Sequence, residues 1–279
     1  MLPRLVHFIF GLAPLPDPTA FGLHHLICVK SARMHYPDHE LVMWHGYEPE
    51  NNPYWRAAAK LCRMVALTPP TQIFGNPLTI HAHRTDVLRL QVLIEHGGLY
   101  LDLDSVVLRP LDDVFVPGAL MGVEAQEATG KVHGLCNAVI AAAPRANFLR
   151  RWLDCFEFFN STGADAGYAF YASRLPLILA RQRNDDIIML GNRAFFPYWC
   201  DAAGLRAIFD SDHDAPKESY SLHLWESQAR QRGHFSGVTL AAIREPRALY
   251  HRLAARCFSE PELQEIEEDV KSTAGLEAK

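Results

Sequence analysis

The chain has 279 residues, 49% of them hydrophobic and 21% charged, with a formal net charge of −5 at pH 7. Such a chain can bury a large core without disulfide or metal staples, which excludes a disordered polypeptide. The slightly acidic balance leaves no basic footprint for nucleic acid. In chain order, a strand is expected from Leu5 to Phe10, stopped at Gly11 and followed by a loop with Pro14, Pro16 and Pro18. A helix follows from about Thr19 to Met34, then a strand from Glu40 to Trp44. A second helix is expected from about Tyr54 to Ala66, ended by Pro69-Pro70. Val87, Leu90 and Ile94 give His83 to His96 a helical apolar stripe, with Gly97 as its stop. Short strands are expected near Ala119 to Val123, Asn137 to Ala142 and Ile187 to Leu190. Between the last two, Phe148, Leu149, Trp152, Leu153, Phe156 and Phe159 repeat at helical spacing and face the core. Ser259-Glu260-Pro261-Glu262 reads as a capping box opening an acidic C-terminal helix, about 259–272, with a solvated face. The alternation predicts a single α/β domain over 1–279, with a Rossmann-like mixed sheet flanked by helices.

The most informative stretch is Gly97-Gly98-Leu99-Tyr100-Leu101-Asp102-Leu103-Asp104. Read as a strand, it sends Tyr100, Asp102 and Asp104 to one face. Two anions at the tip of a buried strand repel and lose hydration, and a divalent cation carrying bound phosphate compensates both. A hard ion such as Mg²⁺ or Mn²⁺ takes few protein carboxylates and fills its other positions with water and phosphate. The plain alternative is an Asp-x-Asp facing solvent. Upstream, Asp86 and Arg89 are three apart on one helix face, either an ordinary ion pair or part of the same site. Ligands of such sheets bind beyond the carboxyl ends of the strands, where Asp102 and Asp104 fall.

The block from Thr85 to Leu111 resembles the DXD-motif glycosyltransferases of capsular-polysaccharide synthesis and yeast Golgi mannosyl transfer. The large glucosylating toxins carry a related catalytic domain. Pro3 to Gly11 is similar to the opening strand of that family. Cys136-Asn137-Ala138-Val139-Ile140 is similar to the strand after the Asp-x-Asp. Phe195 to Trp199 and Ser221 to Ser227 are similar to its closing blocks. Phe10 stands where the family usually has Trp, Gln228 where a second Trp is common, and Thr162-Gly163-Ala164 where Thr-Gly-Pro is usual. These departures leave the metal residues untouched but bear on base and acceptor contacts, so no specific donor or acceptor follows.

The resemblance implies a GT-A-like fold and a metal-dependent, retaining hexosyltransferase of polysaccharide biosynthesis. Asp102 and Asp104 would be the catalytic metal ligands for Mn²⁺ or Mg²⁺. Asp86 and Arg89 would hold the donor sugar, Tyr100 would pack near the nucleotide, and Asn137 would lie on the sugar or acceptor side. Phe10 and Trp225 would be further substrate contacts. Among fourteen histidines, only His223 has a readable setting, on a late strand followed by Trp225. By its residues it is a core histidine or a ligand, and the resemblance puts it at the third metal position. The partners implied are a UDP- or GDP-sugar donor and a glycan, lipid-linked or protein acceptor.

Two other classes compete. Leu101-Asp102-Leu103-Asp104-Ser105-Val106 is also similar to the nucleophile loop of haloacid-dehalogenase-like phosphatases, with Asp185-Asp186 as a later acidic motif. About a hundred residues precede it, whereas such a loop follows the first strand. A non-catalytic sugar-nucleotide-binding module is the other, against which intact Asp86, Arg89, Asp102 and Asp104 argue. The six cysteines form no CxxC pair, and Cys136 and Cys155 read as buried free thiols. No apolar run approaches the roughly 20 residues of a spanning helix. Nor does the proline-broken start read as a signal peptide. A cytoplasmic protein is expected, with peripheral membrane association left open.

Overall fold

The computed structural model describes residues 2–14, 20–111, 113–114, 118–126, 129, 131–161, 170–183 and 186–277. Its strands are β1 (Leu5–Phe10), β2 (Glu40–His45), β3 (Arg63–Ala66), β4 (Gln72–Ile73), β5 (Asn76–Pro77), β6 (Gly98–Leu101), β7 (Ser105–Val107), β8 (Ala119–Gln126), β9 (Val132–Ala142), β10 (Ile187–Leu190) and β11 (Ser221–His223). The α-helices are α1 (Leu23–His35), α2 (Pro53–Ala59), α3 (His81–His96), α4 (Asn147–Asp154), α5 (Leu175–Gln182), α6 (Ala202–Phe209), α7 (Glu226–Gln231), α8 (Leu240–Arg244), α9 (Leu249–Ala255) and α10 (Glu260–Glu277). Seven strands form one sheet in the order β10-β8-β9-β6-β1-β2-β3, and only β9 runs against its neighbours. This is the mixed α/β sheet expected of a GT-A-like fold.

Strand alternation divides the core into two layers. Val6, Phe8, Leu99 and Leu101 join Leu26 and Ile27 of α1 on one side. Ile9 and Tyr100 join Val87 and Leu90 of α3, with Phe148 and Trp152 of α4, on the other. Each fully buried large side chain here contributes about 1.5–3 kcal/mol. Among the described residues no helix is long and apolar enough to cross a membrane.

Three expectations need correction. The helix expected over Tyr54 to Ala66 ends at Ala59, because Arg63 to Ala66 pair in parallel with Val42 to His45 as the sheet's edge. Tertiary pairing overrides local helix preference there. The first helix starts at Leu23 with Gly22 as N-cap, while Thr19 lies outside the described residues. The acidic C-terminal helix does not present a merely solvated face. Lys30 meets Glu262 at 2.6 Å, Arg56 meets Asp269 at 2.6 Å, and Lys60 meets Glu265 at 2.7 Å, while Leu263 and Ile266 are buried. Partly exposed pairs contribute little each, so their main effect is orientation.

The turn into β6 needs its glycines. Gly97 and Gly98 have φ of +65° and +100°, and a Cβ on Gly98 would lie 2.6 Å from the Leu5 carbonyl oxygen. Beside it, His7 is buried, with Nε2 donating to the Gly97 carbonyl (2.9 Å) and Nδ1 accepting from the Trp44 indole (3.2 Å). Burial, with His96 and Arg63 nearby, pushes its pKa down to about 4 against the Gly97 carbonyl's opposing pull. The unfolded chain therefore takes up this proton first, so stability falls as pH drops from about 6.5 towards 4. At pH 5 the cost is about 2 kcal/mol. Urea midpoints at pH 7.5 and pH 5 should show that His7→Gln loses less stability than wild type by about that amount. Equal losses in the two proteins would refute the assignment.

Candidate active site

The site is built where β6 ends. Leu101 is the last strand residue, and the Asp102 amide still bonds to the Ala138 carbonyl of β9 at 2.8 Å. The chain then turns, with the Ser105 amide on the Asp102 carbonyl at 3.0 Å, into β7. That strand pairs antiparallel with β11 in a separate two-stranded ribbon. The expected alternation along one strand is therefore wrong: a turn, not the pleat, brings Asp102 and Asp104 together. Ligand atoms of Asp102, Asp104 and His223 all lie within 4.8 Å of one another.

Asp104 is enclosed by the segment after β11. Its Oδ1 lies 3.1 Å from His223 Nε2, its Oδ2 accepts the Glu226 amide at 2.8 Å, and its carbonyl accepts the Leu224 amide at 2.8 Å. Burial raises the Asp104 pKa, but the His223 charge and hydrogen bond outweigh it and hold the carboxyl below its usual range. Burial likewise lowers His223, and Asp104 reverses the sign, leaving it raised. Trp225 stacks edge-on against the His223 ring at 4.4 Å and gives its indole N–H to the Tyr198 carbonyl at 2.8 Å. Its backbone is left-handed, φ 55° and ψ 53°, a conformation that costs a non-glycine residue about 1–2 kcal/mol. The anchored indole holds it there.

Asp102 belongs to a second network on the α3 side. Tyr100 donates to its Oδ1 at 2.6 Å, and Arg89 Nη1 reaches it at 3.2 Å. The same guanidinium binds the Asn137 carbonyl at 2.7 Å, the Thr85 carbonyl at 3.3 Å and Asp86 at 3.3 Å, over the Tyr100 ring at 4.7 Å. Asn137 closes the ring by donating to Asp86 at 2.7 Å. Burial pushes the Asp86 carboxyl up to about 6 against the opposing pull of Arg89 and Asn137. Asp86 and Arg89 are thus not an exposed helix pair: both are buried. Tyr100 is also buried, its ring in the core and its hydroxyl on Asp102. Phe10 sits at the end of β1, packed against Phe21, Trp55 and His25 at 5.1, 5.3 and 5.9 Å.

The donor set suits a hard divalent ion. Two carboxylates and an imidazole converge, and the 3.1 Å between Asp104 Oδ1 and His223 Nε2 matches the edge of an octahedron with bonds of about 2.1 Å. His223 Nε2 is the nitrogen that faces the carboxylates, 3.1 Å from Asp104 Oδ1, while Nδ1 is buried without a hydrogen-bond partner among the described residues.

Sequence reasoning passed over a neighbouring cluster. His24 and His25 have no pattern in the sequence that singles them out, and both are buried, each with Nε2 3.1 Å from one Glu226 oxygen. Burial would raise the Glu226 carboxyl, but these two hydrogen bonds hold it well below its ordinary range. Burial and the neighbouring His25 push His24 down to about 4, so it bonds as a neutral ring. The available signal was Glu226 directly after Trp225 in a closing block.

Residues 24–119 match the family model described as the glycosyltransferase sugar-binding region containing the DXD motif. Over 264 residues the chain is 30% identical to Glucan organizing enzyme 1 of Cryptococcus neoformans var. grubii, covering 91% of this chain and 70% of that protein. The chain belongs to the DXD-motif glycosyltransferases. Among solved structures, the PaToxG glycosyltransferase aligns with a TM-score of 0.49 at 14% identity, over 99% of this chain and 87% of that one. GlyE of Streptococcus pneumoniae TIGR4 gives 0.49 at 14% identity, over 98% and 64%. For this glycosyltransferase the phosphatase alternative falls away. Its second acidic pair is also misplaced: Asp186 precedes β10, at the opposite end of the sheet from Asp102, and pairs with Arg151 at 2.9 Å. Asp185 and Thr162-Gly163-Ala164 lie outside the described residues.

Proposed function

We propose that this glycosyltransferase is a metal-dependent, retaining hexosyltransferase that takes its sugar from a nucleotide-sugar donor and passes it to a glycan. The convergence of Asp102, Asp104 and His223 beside the Asp86–Arg89–Asn137 network carries this reading. Asp104 and His223, aided by Asp102, would hold Mn²⁺ or Mg²⁺. Bound there, the ion supplies Lewis-acid stabilisation for charge growing on the leaving diphosphate. Arg89 fixes Asp102 and Asp86 in place, and these polar edges are suited to orienting sugar hydroxyls. Tyr100 keeps Asp102 from turning away. The network also bears on stereochemistry. Asp86 and Asp102 are both engaged by Arg89, and Asp104 by His223, which leaves none of them free to attack the sugar. Retention is what the family resemblance implies, and without a free carboxylate nucleophile it would proceed by front-face departure guided by the diphosphate. The name of the fungal relative fits a polysaccharide acceptor.

The reading implies that metal and nucleotide bind together. Two carboxylates and one histidine leave a six-coordinate ion about half satisfied. A nucleoside diphosphate alone meets repulsion from Asp102 and Asp104. Each ligand should therefore tighten the other by the same factor. Titration calorimetry with Mn²⁺, with UDP or GDP, and with both should give weak, weak and tight binding. Nucleotide affinity indifferent to Mn²⁺ would remove the main support for the site. A donor screen scoring nucleotide release with and without Mn²⁺ then identifies the sugar.

A further inference from the structure

We infer that His24, His25 and Glu226 are positioning residues, a bolt from α1 that sets Asp104 as a one-oxygen metal ligand. The inference rests on the metal-nucleotide reading above. Glu226 is held at both ends. Its amide donates to Asp104 Oδ2 at 2.8 Å, while its carboxylate accepts from His24 and His25 at 3.1 Å each and from Arg230 at 2.5 Å. With Oδ2 occupied by that amide, Asp104 turns only Oδ1 towards His223. A carboxylate free to swing could chelate with both oxygens, taking a coordination position that the diphosphate needs.

The cluster has the residue types of a metal site, but its hydrogen bonds assign it another role. The Gly22 amide donates to His25 Nδ1 at 3.0 Å as part of the α1 N-terminal cap. The His25 proton therefore sits on Nε2, pointing at Glu226, where a ligand would need a lone pair. His24 is clamped between the His25 ring at 3.9 Å and a stacked Phe235 at 4.3 Å. Both rings are thus rigid donors. The left-handed Trp225 immediately before Glu226 turns the chain so that the residue-226 amide faces Asp104 while its side chain reaches α1.

Substitutions separate the roles. His25→Asn keeps an acceptor for the Gly22 amide but has no donor long enough for Glu226, and Glu226→Ala removes the bolt outright. His24→Gln keeps an N–H near the Nε2 position. In Glu226→Ala and His25→Asn, the Mn²⁺ concentration for half-maximal rate should rise about tenfold or more, with kcat at saturating Mn²⁺ changed less than about threefold. In His24→Gln it should stay within about threefold of wild type. Without metal, hydrogen exchange over residues 221–231 should speed up in Glu226→Ala, and circular dichroism checks the fold. Lower melting temperatures with an unchanged Mn²⁺ requirement would overturn the bolt and leave a purely structural cluster. So would one Zn²⁺ retained by Asp104→Asn and lost in His24→Gln. If the wild-type protein shows no linked Mn²⁺ and nucleotide binding, the metal reading itself fails and the bolt falls with it.

Discussion

Asp104→Asn should lower turnover about a thousandfold or more while leaving the fold intact. Its side chain touches His223 through Oδ1 and the Glu226 amide through Oδ2. The Asn amide oxygen still accepts from Glu226, so the turn keeps its shape. The variant loses the negative charge that attracts a divalent ion, worth several kcal/mol in a transition state where charge leaves with the diphosphate. Steady-state nucleotide release at saturating donor checks the rate, and thermal melts without metal check the fold. A variant retaining more than a tenth of the wild-type rate would show that Asp104 is not the principal ligand.

Arg89→Ala carries the second large effect, and here stability and catalysis fall together. The guanidinium is the only described positive group within reach of both Asp86 and Asp102, and removing it leaves the buried Asp86 and the partly exposed Asp102 without a counter-charge. Breaking a buried pair this way costs about 3–5 kcal/mol. That replaces the expectation of near-unchanged stability which an exposed pair would have justified. Catalytic efficiency should fall by about tenfold or more through lost orientation of the donor sugar. The double variant Arg89→Met with Asp86→Asn separates the two effects. It should regain much of the stability, since fewer charges remain unpaired, without regaining activity. Recovery of both would make Arg89 a structural residue with no part in the reaction.

How much was readable in advance depended on whether the cause was local. The apolar stripe of α3, its stop at Gly97 and the first strand depend on spacing within one element, and the chain states them directly. The path of Asp102 to Asp104 did not, because a three-residue turn and a continuing strand share the same apolar alternation. Only the partner strand β11, over a hundred residues later, decides for the turn. The burial of Arg89 was hidden for the same reason, since its enclosing Asn137 comes from β9. His24 and His25 carry no pattern of their own, and their role exists only through Glu226, some two hundred residues away.

Those distances along the chain have a temporal meaning. The Asp104–Glu226 contact spans 122 residues and the His24–Glu226 contact 202. Contacts of such separation pay loop-closure entropy first and form late, as does any β7–β11 pairing that must await the last third of the chain. A nascent polypeptide carrying residues up to about 210 already holds Asp102, Arg89 and Asp86, yet Asp104 has neither His223 nor the residue-226 amide. The two halves of the proposed site therefore come from stretches of chain more than a hundred residues apart. The proposed metal position would thus be completed only by long-range closure, when Ser221–Glu226 pack against β7 and α1.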